Sequence, residues 1–188
     1  MIIGHKYFSD KFITIITIVI ILIIIVVIKL NQTYPKTLSF SEKILIAESY
    51  YLEEKDDDKR FIGMAIFNDG TIYKWDTEKN IPEFEKSTVQ ERKRWIFENG
   101  KKKFKRVTIK DLRTITILIS NLKDESEKLS GQFESKGSKY IVVWNSKKEK
   151  IVLSKSGKNG TINKSENAEL LILQINDLLK YTDKKGIL

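Results

Sequence analysis

Positive charge and aromatic rings are concentrated in one stretch, residues 92–106, which reads RKRWIFENGKKKFKR. Arg92, Lys93, Arg94, Lys101, Lys102, Lys103, Lys105 and Arg106 stand there against a single acid, Glu98, with Trp95, Phe97 and Phe104 between them. Cations at this density neutralise phosphates, and interleaved aromatics stack on bases or settle at the level of lipid headgroups. These eight basic residues are the candidate binding site, for an anionic polymer or for headgroups. The competing reading turns Trp95 and Phe97 into the core and leaves the lysines as a solvated rim.

Other chemistry is thin. The chain has one histidine, His5, and no cysteine. His5 precedes a long apolar run and is separated by it from residues 31–188, so Ser-His-Asp, Cys-His and His-ligated metal sites are excluded there. Carboxylates, lysines and tyrosines remain. Asp56, Asp57 and Asp58 follow Glu53 and Glu54, but the alternating ligands and central glycine of a calcium loop are missing, so a solvated acidic turn is expected. The glycine-flanked SGKNG at residues 156–160 lacks the spacing and helix start of a phosphate loop. No metal or cofactor is expected. A paired-carboxylate hydrolase stays open, because the scattered Asp and Glu single out no pair.

The formal charge of +9 needs discounting before it is read as a sign of nucleic acid. The chain holds 29 lysines, 5 arginines and 29 isoleucines, which is what AT-rich codon usage produces.

The elements that must position this chemistry begin with residues 12–28, FITIITIVIILIIIVVI, a run of 17 uncharged residues. As a helix it is roughly 26 Å long, close to the ~30 Å hydrocarbon core of a bilayer. Its strongly apolar residues favour insertion by about 5–9 kcal/mol. An isolated strand in lipid leaves its amides unpaired, so β-branching does not prevent a helix. The run is longer than a signal-peptide core, and no small-x-small cleavage site follows closely, so an uncleaved anchor is expected. Lysines flank both ends and do not decide orientation. A short tail before an N-terminal anchor commonly stays in the cytoplasm, which places the rest outside.

Beyond the anchor, strands are expected at residues 43–54, 61–67 and 71–76, with Asn68-Asp69-Gly70 as a turn. Ser87 or Thr88, followed three residues on by Gln90 or Glu91, resembles a capping box for a helix over 88–98, stopped by Asn99-Gly100. Residues 104–107 read as a short strand. Thr108, with Asp111 three residues later, opens a helix over 109–122, with Leu112, Ile115, Ile119 and Leu122 on one stripe; the rival reading of RTITILIS is a strand, because alternate residues there are β-branched. Residues 124–138 read as a loop, 140–144 and 151–155 as a hairpin, and Ser165 as the cap of a helix over 166–181.

The expected architecture is therefore α+β: a transmembrane helix, then one small domain whose antiparallel sheet, a meander plus a hairpin, carries about three helices on one face. Residues 1–11 form a tail, 12–30 the anchor, 31–41 a polar tether lifting the domain off the bilayer, 42–182 the domain and 183–188 a C-terminal tail. The function expected is that of a single-pass, extracytoplasmic, non-enzymatic interaction module of a bacterial cell membrane. Its partners would be the bilayer and either anionic envelope polymers or another protein. The alternatives are a cell-envelope hydrolase using carboxylates and, less expected, a cytoplasmic-facing domain that binds nucleic acid.

Overall fold

The computed structural model describes residues 3–55, 58–78, 86–129, 137–157 and 160–180. Helix α1 (Ile3–Thr33) contains the apolar run, and its side chains from Phe12 to Leu30 are exposed. Among the described residues it is the one helix long and apolar enough to cross a membrane. Two of its threonines, Thr17 and Thr33, turn their hydroxyls inward, onto the carbonyls of Ile13 and Lys29.

The rest is built on one eight-stranded antiparallel sheet in the order β4-β3-β2-β1-β6-β7-β8-β5. Strands β1 (Leu45–Lys55), β2 (Asp58–Phe67) and β3 (Thr71–Thr77) form the expected meander, and Gly70 takes the positive φ that the Asn68–Gly70 turn requires. Helix α2 (Val89–Asn99) starts at the expected capping box: Thr88 Oγ1 accepts from the Glu91 amide and the Glu91 carboxylate accepts from the Thr88 amide. These hydrogen bonds, from the Thr88 backbone first, hold the Glu91 carboxyl below its ordinary pKa. Strand β4 (Lys101–Arg106) begins earlier than its sequence suggests, because pairing with β3 recruits the lysine run into the ladder.

Helix α3 (Ile109–Ser120) starts at Thr108, which accepts from the Asp111 amide, and is a helix despite its β-branched alternation. Residues 124–138 are not all loop: β5 (Ser126–Lys128) pairs with β8 (Thr161–Asn163), and both are too short to carry a periodic signal. Strands β6 (Gly137–Trp144) and β7 (Lys150–Lys155) form the expected hairpin. Helix α4 (Glu166–Lys180) follows, but the Ser165 hydroxyl does not cap it. That hydroxyl is buried without a hydrogen-bond partner among the described residues, and Asn163 Oδ1 accepts from the Ser165 amide instead.

The helices do not share one face. Leu112, Ile115 and Ile119 of α3 and Ala168, Leu171, Ile175 and Leu179 of α4 pack on Met64, Ile66, Ile141 and Leu153. Val89 and Ile96 of α2 pack on the opposite face, against Phe61, Ala65, Phe67, Trp75 and Trp144. Strand β2 supplies both, alternating Phe61, Ala65 and Phe67 with Met64 and Ile66, as a strand buried on both faces must. The result is three layers, with α2 opposite the α3–α4 pair.

Residues 34–43 are docked rather than suspended. The Leu38 amide donates to Asp69 Oδ2 at 3.1 Å, Arg106 Nη2 donates to the carbonyls of Pro35 and Asp69, and Phe40 meets Phe97 edge to face at 4.6 Å. The tether expected to lift the domain away is bound to it.

Candidate functional site

The basic stretch is divided by its own secondary structure. In α2, successive residues point about 100° apart, so Arg92 and Lys93 turn toward the sheet while Arg94 turns to solvent. Arg92 is fully buried and ion-paired with Glu48 of β1: its Nε donates to Oε1 at 3.3 Å and its Nη2 to Oε2. Trp144 Nε1 donates to the same carboxylate at 3.2 Å. Around the guanidinium stand Tyr50, Phe61, Trp75 and Trp95, with ring centroids 5.6–5.9 Å from Cζ. Gly63 leaves room for this cluster, since a Cβ there would lie 2.5 Å from the Trp75 ring. An arginine so enclosed holds α2 on the sheet and is not offered to solvent anions.

Lys93 is also buried, with Nζ 4.7 Å from the centre of the Phe40 ring and 3.4 Å from the Ser41 carbonyl. Burial, and then repulsion from Lys148, lower the pKa of its amine. Arg106 is committed to the Pro35 and Asp69 carbonyls. Asp69 itself is a buried hub that accepts from Lys43 Nζ at 2.6 Å, from the Thr71 hydroxyl at 2.6 Å and from the amides of Leu38 and Thr71. Burial opposes its ionisation, yet the bonds from Lys43, Thr71 and Leu38 outweigh it and hold the carboxyl below its ordinary pKa.

Of the eight candidates, Arg94, Lys101 and Lys102 are exposed and Lys103 is half-buried; the Lys105 side chain lies outside the described residues. Lys101, Lys102 and Lys103 line a cleft of about 380 Å³ with Lys74, Trp75, Asp76 and Asn99. The β3–β4 register sets Lys101 directly opposite Lys74. Like charges opposed across a ladder repel, and an anion between them relieves the repulsion. Asp76, the one acid among the described residues that line the cleft, is held by Arg60 through two bonds of 2.9 Å. β4 is also an edge strand, where lysines serve to prevent strand addition from another chain.

Two other clefts are described. One of about 70 Å³ lies between the sheet and α4 over Ile62, Met64 and Leu179; one of about 660 Å³ lies along the tether between Leu30, Tyr34, Pro35 and Arg106. Among the described residues, each of the three clefts is lined by at most one carboxylate. The described residues include no group of three His, Cys, Asp or Glu side chains able to hold a metal. The acidic Asp56 and Asp57, and the side chains of His5 and Asp58, lie outside the described residues.

The sequence reading missed Glu48, Asp69 and Lys43. Glu48 carried a signal, since it shares a strand parity with Tyr50 and Leu52 and so falls on an apolar face. Asp69 was hidden in a turn signature. No family model, curated protein or solved structure matches the chain.

Proposed function

We propose that this chain is a single-pass membrane protein, anchored by α1, whose α+β domain stands on the extracytoplasmic side and binds anionic polymer. The observation that carries the anchor is the stretch Phe12–Thr33, whose apolar side chains from Phe12 to Leu30 are exposed among the described residues. In water that much uncovered apolar surface is a liability; in hydrocarbon it is the stable arrangement. Within the domain, the β3–β4 cleft is the binding site, because Lys74, Lys101, Lys102 and Lys103 line it and Asp76 beside them is bonded to Arg60. It recognises repeated phosphate charge rather than a defined small molecule.

Protease added to wall-stripped cells should cut within residues 31–188 while α1 stays in the membrane after alkaline carbonate; an uncut domain would reverse the orientation. For the cleft, full-length protein in detergent should bind inorganic polyphosphate with a steep salt dependence. Replacing Lys101, Lys102 and Lys103 with Gln should weaken that binding at least tenfold and flatten its dependence on salt. Unchanged binding would reduce the lysines to edge protection.

A further inference from the structure

Several loops at one end of the sheet gather around residues 34–44, which follow directly on α1. This end holds the start of β1, the β2–β3 turn, the end of β4 with the start of α3, and the β6–β7 turn, because β1 and β3 run away from it while β2, β4 and β6 run toward it. Independent bonds tie the group together. Arg106 reaches Pro35, the Val107 amide donates to the Gly70 carbonyl, and the amide of Asn68 and its side chain pair with the backbone of Ile44. The β6–β7 turn lies beside them, with Lys148 near enough to feel the charge of the Lys93 amine that sits over Phe40. α1 also touches α3.

This end is held close to the apolar run. Thr33 closes α1, and Pro35 follows by two residues. From Leu30 to Pro35 the chain therefore rises about 12 Å at most. A headgroup layer is roughly 5–8 Å deep. With residues 34–43 bonded to the domain, no slack remains for the domain to move away from that layer.

The surface presented there has the character of a bilayer contact. Lys36, Lys110, Lys147 and Lys148 are exposed, and between them Phe40 and Ile44 remain about half exposed at 49% and 52%. The exposed acids of the same loops are occupied locally: Glu42 accepts from Ser39, and Glu149 from the Asn145 side chain. Exposed lysines around partly exposed aromatic and aliphatic side chains suit an interface of anionic headgroups over acyl chains.

We propose that this end of the sheet is a second membrane contact, seating the domain on the anionic bilayer that holds α1. The seat fixes which way the domain faces and turns the β3–β4 cleft, at the Lys101 end of β4, away from the lipid. The inference rests on α1 being an anchor, and its test separates the two. The chain has no cysteine, so a fluorophore can be placed on full-length protein at Ser146→Cys, in the β6–β7 turn, or at Glu78→Cys, just beyond the far end of β3. In bilayers containing phosphatidylglycerol and a headgroup-nitroxide lipid, the label at 146 should be quenched severalfold more than the label at 78. Lys36→Glu, Lys110→Glu, Lys147→Glu and Lys148→Glu together, at exposed positions where folding is checked by circular dichroism, should remove most of that difference, as should high salt. Equal, weak quenching at both positions while α1 resists alkaline carbonate would overturn the seat and leave the anchor standing. Release by carbonate would overturn both.

Discussion

The two faces of the sheet are covered by different means. Under α3 and α4 the described core is aliphatic throughout, from Ile46 to Leu179, with no aromatic ring and no buried charge in the cluster. Under α2 the core is aromatic and is threaded by ions: Arg92 with Glu48 inside a ring of four aromatic side chains, and Lys43 with Asp69 beside Phe67, Tyr73 and Phe97. The aliphatic face is held by area removed from water, which is nondirectional and tolerant of rearrangement. The α2 face is held by groups whose desolvation is acceptable only in one geometry. That geometry is what positions Lys93 against Phe40, and Arg106 against Pro35, so the face that binds the tether is the face built from directional contacts.

Breaking each face in turn sharpens the contrast. Glu48→Ala should cost about 3–5 kcal/mol, because it leaves a buried guanidinium without its carboxylate. The Glu48→Met, Arg92→Met double variant should recover much of the loss, since apolar side chains of similar volume replace a buried pair at little cost. Urea unfolding of the detergent-solubilised chain, followed by tryptophan fluorescence, reads both; a double variant as unstable as Glu48→Ala would remove the distinction between the faces. On the aliphatic side, Ile115→Ala should cost about 2–5 kcal/mol through lost burial and a residual cavity, and no second substitution of a polar partner should rescue it.

The smallest effect concerns acid. Asp69 has a folded pKa below its unfolded value of about 3.9. Its contribution to stability is therefore fully present above that unfolded value and is lost as pH falls through the folded one. Asp69→Asn should destabilise the protein by about 1–3 kcal/mol at neutral pH. The gap between wild type and variant should close on acidification through that window. A gap constant with pH would show that Asp69 acts through its shape and not its charge.

Much of the chain's local structure was legible. The Asn68–Gly70 turn, the Thr88 and Thr108 caps and the stripe Leu112, Ile115, Ile119 each depend on neighbours within a few residues, so sequence suffices to place them. β5 and β8 were not legible, because three-residue strands exist through the partner that hydrogen-bonds them. The two-faced sheet left a trace in the sequence: FIGMAIF is apolar at both parities, which marks a strand covered on both sides. The candidate site was legible as a density of charge and not as a surface. Inside one helical turn Arg92, Lys93 and Arg94 look alike, and only the position of Glu48, 44 residues away, separates the buried one that is paired from the exposed one.

By itself the sequence determined the apolar run, the absence of thiol chemistry and of histidine beyond position 5, and the identity of most helices and strands. Each of these is a matter of composition or short-range periodicity. The tertiary structure decided which side of the sheet each helix covers, which cations face inward and whether residues 34–43 hang free or lie docked. Those outcomes depend on contacts such as Arg106 with Pro35, 71 residues apart, where the enthalpy of a few directional bonds is set against loop entropy that no local pattern records.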